Sequence, residues 1–246
     1  MKKKELLSSA VVVIIIILAI AFFILILPSP KTTKFIKAVQ SQDIDLVGRL
    51  LAEGADPNQT DIPPSHLWSI VETSACRPIY YACVNGDLEM VKLLIDHGAT
   101  AEYREHTGWS PLRGVLFSYE TDDLKIVELL LENGANPDVV ESGNNSIFAA
   151  ADMPPYSLED QNEKYNPKIA QDITSIVQTL LGDRPVDMRS ENGMTLLMVA
   201  ARRRNLYLVE QLLQWGCDPT LVDYQGKTAA DYANIAGAEE ILNILN

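Results

Sequence analysis

Hydrophobic residues along most of the chain recur in short helical stripes separated by polar turns. Leu88, Val91 and Leu94 share one face of a helix, as do Leu124, Val127 and Leu131. Such stripes end in paired leucines at Leu50-Leu51, Leu93-Leu94, Leu129-Leu130, Leu180-Leu181 and Leu212-Leu213. Most run on into a glycine turn: Gly54-Ala55-Asp56-Pro57, Gly98-Ala99-Thr100, Gly134-Ala135-Asn136-Pro137 and Gly216-Cys217-Asp218-Pro219. Glycine supplies the left-handed residue that ends a helix, Asx followed by Pro opens a projecting hairpin, and Gly108, Gly143, Gly193 and Gly226 allow its tight tip. After Leu181 the turn is degenerate, reading Arg184-Pro185. A second marker opens a shorter helix in each unit: Arg77-Pro78-Ile79, Ser110-Pro111-Leu112, Asn145-Ser146-Ile147, Thr195-Leu196-Leu197 and Thr228-Ala229-Ala230. A hydroxyl there caps free N–H groups, and Pro has none to satisfy. Each helix pair has an apolar face that it cannot cover alone, so the pattern predicts stacked neighbours.

The two marker sets alternate, and Arg77 to Ser110 and Thr195 to Thr228 are both steps of 33 residues. This resembles the ankyrin repeat, whose Thr-Pro-Leu-His-x-Ala opening recurs in units of about 33 residues. The resemblance covers residues 35–246. It implies an all-α solenoid of about six helix–turn–helix repeats with β-hairpin loops, the terminal repeats acting as caps. Two departures stand out. The first loop is lengthened at 58–74, around Ile62-Pro63-Pro64 and His66-Leu67-Trp68. An acidic, Pro-rich insertion at 152–172 replaces a short inter-helix turn, and its end reads as ordered: Asn166 caps, Pro167 starts, and Ile169, Ile173, Ile176 or Val177, and Leu180 continue the stripe. Such insertions either shape a binding face or are surface loops tolerated at small entropic cost.

Ahead of the repeats the periodicity vanishes. Leu6 to Leu27 is apolar except for Ser8 and Ser9, and as a helix it spans about 33 Å, enough for a bilayer core. The run is longer than the ~7–15-residue core of a signal peptide and lacks a small-x-small end, so an uncleaved signal anchor is expected. The expected layout is a basic segment at 1–5, a transmembrane helix at 6–27, a Pro-rich spacer at 28–34 and the repeat domain at 35–246. Lys2, Lys3 and Lys4 bias the N-terminus toward the cytoplasm, although Lys31, Lys34 and Lys37 lie on the other side. The repeat domain is then expected outside, which in a Gram-negative cell means an inner-membrane protein facing the periplasm.

Composition narrows the function. The chain is 47% hydrophobic and 22% charged, values of a folded protein. Its net charge is −13 although the first five residues are basic, so nucleic acid is excluded as a partner. Such a field either steers the domain toward a basic protein surface or only keeps it soluble. Cys76, Cys83 and Cys217 show no C-x-x-C spacing and read as small buried hydrophobes, Cys76 and Cys83 being the pair to watch in an oxidising compartment. His66, His97 and His106 lack metal-ligand spacing, and His97, just before Gly98, suits the carbonyls of a helix end. There is no nucleophile elbow, phosphate loop or dinucleotide fingerprint. No catalytic residue, cofactor, metal or small-molecule substrate is expected, and the chain is not read as an enzyme.

The resemblance implies that a partner protein meets the loop tips and the ends of the first helix of each unit. Carried over by position, the tips give His106, Thr107 and Trp109; Glu141 and Asn144; Glu191, Asn192 and Met194; and Tyr224, Gln225 and Lys227. The first helices give Asn85, Phe117, Ser118, Arg202 and Arg203. Trp109 and Phe117 are the expected anchors, since aromatics dominate binding energy; the alternative is that Trp109 packs between repeats. Arg202-Arg203-Arg204 either contacts a carboxylate-rich patch or balances nearby acids. The function expected is a membrane-anchored protein-binding module acting outside the cytoplasm, with an immunity or inhibitor role against an effector enzyme by family-level analogy. The alternative is a scaffold or a regulatory factor for a membrane-proximal enzyme or complex.

Overall fold

A computed structural model of the chain describes residues 30–60, 76–103, 109–116, 118, 123–140, 143–156 and 164–246. Their helices come in pairs: α1 (Pro30–Gln40) with α2 (Ile44–Ala52), α3 (Pro78–Val84) with α4 (Leu88–Asp96), and α5 (Pro111–Val115) with α6 (Asp123–Glu132). Then follow α7 (Ser146–Ala151) with α8 (Pro167–Leu181), α9 (Leu196–Arg202) with α10 (Leu206–Gln214), and α11 (Ala229–Ala236) with α12 (Glu239–Leu245). The odd-numbered helices pack each on the next as a first row, and the even-numbered helices from α4 to α12 do the same as a second row. One continuous core runs through the stack from Phe35 to Ile241, with Ile79, Leu94, Leu112, Leu130, Phe148, Leu180 and Leu196 fully buried. These are the stripe residues, and stacking buries what each pair leaves open.

The marker residues act as caps in both rows. Ser110, Asn145, Thr195 and Thr228 accept the N–H of Arg113, Phe148, Met198 and Asp231 at 3.1–3.3 Å and start α5, α7, α9 and α11. Asp43, Asp87 and Asn205 do the same at 3.0–3.1 Å for α2, α4 and α10. Asn166 accepts from Lys168 and Ile169, so α8 begins at Pro167, where the insertion was expected to become ordered. At the other end, Gly98 has φ +90°, and its N–H and that of Ala99 reach back to Ile95 and Leu94 at 2.8 and 2.9 Å. That left-handed closure suits glycine because it has no Cβ to clash. After α8, the Arg184 guanidinium takes over part of the task, donating to the carbonyls of Leu180 and Leu181 at 3.2 and 3.4 Å.

Successive loops are tied together. Asn58 accepts from the Thr100 N–H at 2.9 Å, Glu102 from the Asn136 N–H at 3.0 Å, and Asp187 from the Asp218 N–H at 3.1 Å. Between the third and fourth loops the degenerate turn substitutes a bidentate ion pair, Arg184 to Asp138 at 2.7 and 2.8 Å.

Two expectations need correction or placement. The described parts of the loops hold no β-hairpin: among the described residues there is no strand, only an isolated bridge at Asn144. Their tips close instead by turns, such as Gly193 N–H to Ser190 and Gly226 N–H to Asp223 at 2.9 and 3.1 Å. Residues 6–27, read as a transmembrane helix, lie outside the described residues, among which no helix is long and apolar enough to cross a membrane. Helix α1 begins at Pro30, within the segment expected as spacer; Pro is tolerated in a first turn.

Candidate functional site

The loops border the first row of helices. Met194 on the fourth loop packs its Sδ 3.9 Å from Arg202 of α9, and Lys227 on the fifth lies 5.6 Å over the Tyr232 ring of α11. The Tyr232 hydroxyl donates to Asp223 at 2.6 Å, and Asp223 also accepts the N–H groups of Gln225 and Lys227, which fixes the fifth tip on its helix. Loop and helix row therefore form one surface.

Four of the eight exposed large apolar side chains among the described residues lie on these loops. Tyr224 is 75% exposed, Val140 53%, Val222 45% and Trp109 37%. Tyr224 lies over Gly193 of the preceding loop, where a Cβ would sit 2.7 Å from the ring, and its N–H points to the Asn192 carbonyl at 3.5 Å. Arg189 braces the same pair of loops, donating to the Val222 and Gly193 carbonyls at 2.7 and 2.8 Å. Trp109 packs between units, the alternative foreseen for it. Its ring meets Tyr80 of the preceding unit edge-on at 6.3 Å, with the Arg113 guanidinium 6.0 Å from its centroid, while over a third of it faces solvent.

Of the other expected residues, Glu191, Asn192 and Gln225 are exposed at the tips, and Asn144 and Lys227 are half-buried. Asn85 is half-buried and donates to the Gln40 carbonyl at 3.5 Å. The Ser118 hydroxyl is engaged by the Val115 carbonyl and the Asp123 carboxylate. Met194 is only 7% exposed and belongs to the core, so it offers a partner little surface. His106, Thr107, Phe117 and Glu141 lie outside the described residues.

Arg202 and Arg203 balance a nearby acid. Asp152, at the end of α7, accepts from Arg202 at 2.6 Å and from Arg203 at 2.7 and 2.8 Å. Burial pushes the Asp152 carboxyl up, but the hydrogen bonds from Arg203 and Arg202 outweigh it and hold the group below the usual carboxylate range. Arg204 stands apart with φ +60° on the rim of a cleft of about 500 Å³, which Tyr156, Tyr165, Glu239 and Glu240 also line. His97 meets the Leu93 carbonyl at 2.8 Å, as its place before Gly98 suggested. The three cysteines are buried and form no disulfide with one another; burial pushes the Cys83 thiol far up and Cys217 up to about 11, so neither offers a thiolate near neutral pH. Among the described residues no group of His, Cys, Asp and Glu is placed to hold a metal. Sequence reasoning missed Val140 and Val222, whose signal was an apolar residue inside a polar loop. It also missed Asp152, which the three neighbouring arginines required.

Comparison with known proteins agrees with this architecture. A family model described as ankyrin repeats (3 copies) matches residues 35–151 and 169–246, leaving out much of the insertion ahead of α8. The ankyrin repeat and KH domain-containing protein mask-1 of Caenorhabditis elegans is 28% identical over 157 residues, which is 62% of this chain and 5% of that protein. Mouse protein phosphatase 1 regulatory subunit 27 is 34% identical over 83 residues, 34% of this chain and 47% of its own length. Human NAD-capped RNA hydrolase NUDT12 is 45% identical over 56 residues, 23% of this chain and 12% of its own length. The chain thus spans less than half the length of each of these relatives.

Proposed function

Because the chain belongs to the ankyrin-repeat family, we propose that its partner protein docks on the surface made by the loop tips and the first-row helices, at the membrane and outside the cytoplasm. The observation that carries this reading is the set of exposed apolar side chains on the second, third and fifth loops, Trp109, Val140, Val222 and Tyr224. Exposed aromatics on a braced backbone are the residue type that anchors interfaces. The chain acts by binding rather than by catalysis, and the partner is a protein. The apolar run before the repeats supports the anchor: Ala10 to Leu27 holds no polar residue. An immunity or inhibitor role against an effector enzyme is the function we assign to an anchored module of this kind.

A second reading, a regulatory or scaffolding factor for a membrane-proximal enzyme, is favoured by similarity to a protein named as a phosphatase regulatory subunit. Substituting Trp109→Ala together with Tyr224→Ala should abolish capture of the partner while circular dichroism stays native. Undiminished capture by a folded double variant would remove the proposed surface. Deleting residues 1–29 should move the chain from the membrane pellet to the soluble fraction; an unmoved chain would contradict the anchor. A reporter fused at Asn246 and active only outside the cytoplasm tests orientation. Loss of inhibition of an effector enzyme, against loss of assembly of a complex, separates the two roles.

A further inference from the structure

The two flanks of the insertion between α7 and α8 are pinned together, the Asn166 N–H donating to the Pro155 carbonyl at 2.7 Å. The Tyr165 hydroxyl in turn accepts the Tyr207 N–H of α10 at 3.2 Å, which holds the flanks against the turn from α9 to α10. The turn before α12 completes a cleft of about 500 Å³, a volume in the range of small-ligand sites. Leu206 and Ile241 give it apolar lining, Tyr156 and Tyr165 aromatic lining, and Arg204, Glu239 and Glu240 free charges. Among the described residues, none of these three makes an ion pair or a side-chain hydrogen bond, whereas Arg203 beside them is taken up by Asp152. Arg204 also stands at φ +60°, in a turn where Gly86 and Gly237 take +61° and +66° in other units. A side chain is strained in that backbone, and such strain collects at functional positions. Burial pushes the Tyr165 hydroxyl up, and the carboxylates of Glu210 and Glu240 add to the rise against the Tyr207 N–H, so acid lies close to this ring.

We propose that this cleft binds a short peptide with both ends free. The terminal carboxylate of the peptide pairs with the Arg204 guanidinium, its terminal ammonium meets Glu239 and Glu240, and its apolar side chains rest on Tyr156 and Tyr165. The charges lining the cleft do not neutralise one another, so they stay available to a ligand lying between them. A purely anionic ligand would meet the two glutamates, and a purely cationic one would meet Arg204. A ligand that carries both charges gains at each end and is repelled at neither. None of the lining residues lies on the loops, so the site is separate from the docking surface proposed above.

The test titrates the full chain in detergent micelles with the tripeptide Ala-Leu-Ala by isothermal titration calorimetry, beside its N-acetylated and C-amidated forms. The unblocked peptide should bind, and each blocked form should bind more weakly by about tenfold or more. Arg204→Gly should weaken the unblocked peptide to a similar degree, yet change binding of the amidated one by no more than about twofold. Glu239→Gln with Glu240→Gln should weaken the unblocked peptide and change binding of the acetylated one by no more than about twofold. Both variants should keep a native circular dichroism spectrum, since glycine suits the Arg204 backbone and Gln keeps the shape of two exposed glutamates. No binding of the unblocked peptide, no loss on blocking either end, or equal weakening of all three peptides by either variant would overturn the proposal.

Discussion

Asp152 shows how one residue joins two units. It ends α7, Arg203 ends α9, and these equivalent positions face one another with Arg202 as a third member. The ion pairs are partly exposed, so screening limits them to roughly 1 kcal/mol. The folded carboxyl titrates below its unfolded value. Its stabilisation is therefore present above the unfolded pKa of about 3.9 and is lost as pH falls through the folded one. Asp152→Asn should lower the midpoint of thermal unfolding at pH 7, and the gap from the native chain should close in acid below about pH 4. A gap that persists unchanged at low pH would mean that the carboxylate charge is not what matters. At this scale the sequence spoke unevenly. Three consecutive arginines called for an acid, but their acid lies about fifty residues away, on the far side of the insertion. Only the stacking of units brings it near.

At the scale of the element, caps and stripes make distinguishable contributions. Thr195 caps α9 with a single hydroxyl, so Thr195→Ala should cost about 1 kcal/mol. Leu130 is fully buried between α6 and its neighbours, and Leu130→Ala should cost about 2–5 kcal/mol by opening a cavity. Denaturant unfolding of both variants checks the order, and an equal or reversed cost would contradict this division. The helices themselves were legible because their periodicity, caps and glycine ends are local signals. The end of α8 was legible only as a departure: Arg184-Pro185 breaks the turn pattern, and the structure shows what replaces it, a guanidinium shared between two helix carbonyls and Asp138. The β-hairpin was expected from the Asx-Pro pairs and tip glycines as well as from the family resemblance, and such residues specify a turn without specifying a strand ladder. Among the described residues, side-chain ties such as Asn58 to Thr100 and Glu102 to Asn136 join successive loops.

For the whole molecule, the described helices of each unit pack on those of the neighbouring units, and the two rows expose different faces. The second row is acidic and helical, while the loops beside the first row carry exposed aromatics and braced tips. That asymmetry could be read only in part beforehand. Repeat positions pointed to Trp109 and Tyr224, but the burial of Met194 and the exposure of Val140 depend on how adjacent loops pack. The central claim is that the partner meets the loop and first-row face. Its most direct test places a photoreactive phenylalanine derivative at Tyr224, and separately at Lys168 on the exposed side of α8, and irradiates each with the partner present. The account predicts a crosslinked adduct from position 224 and none from position 168. An adduct from 168 with none from 224 would contradict it.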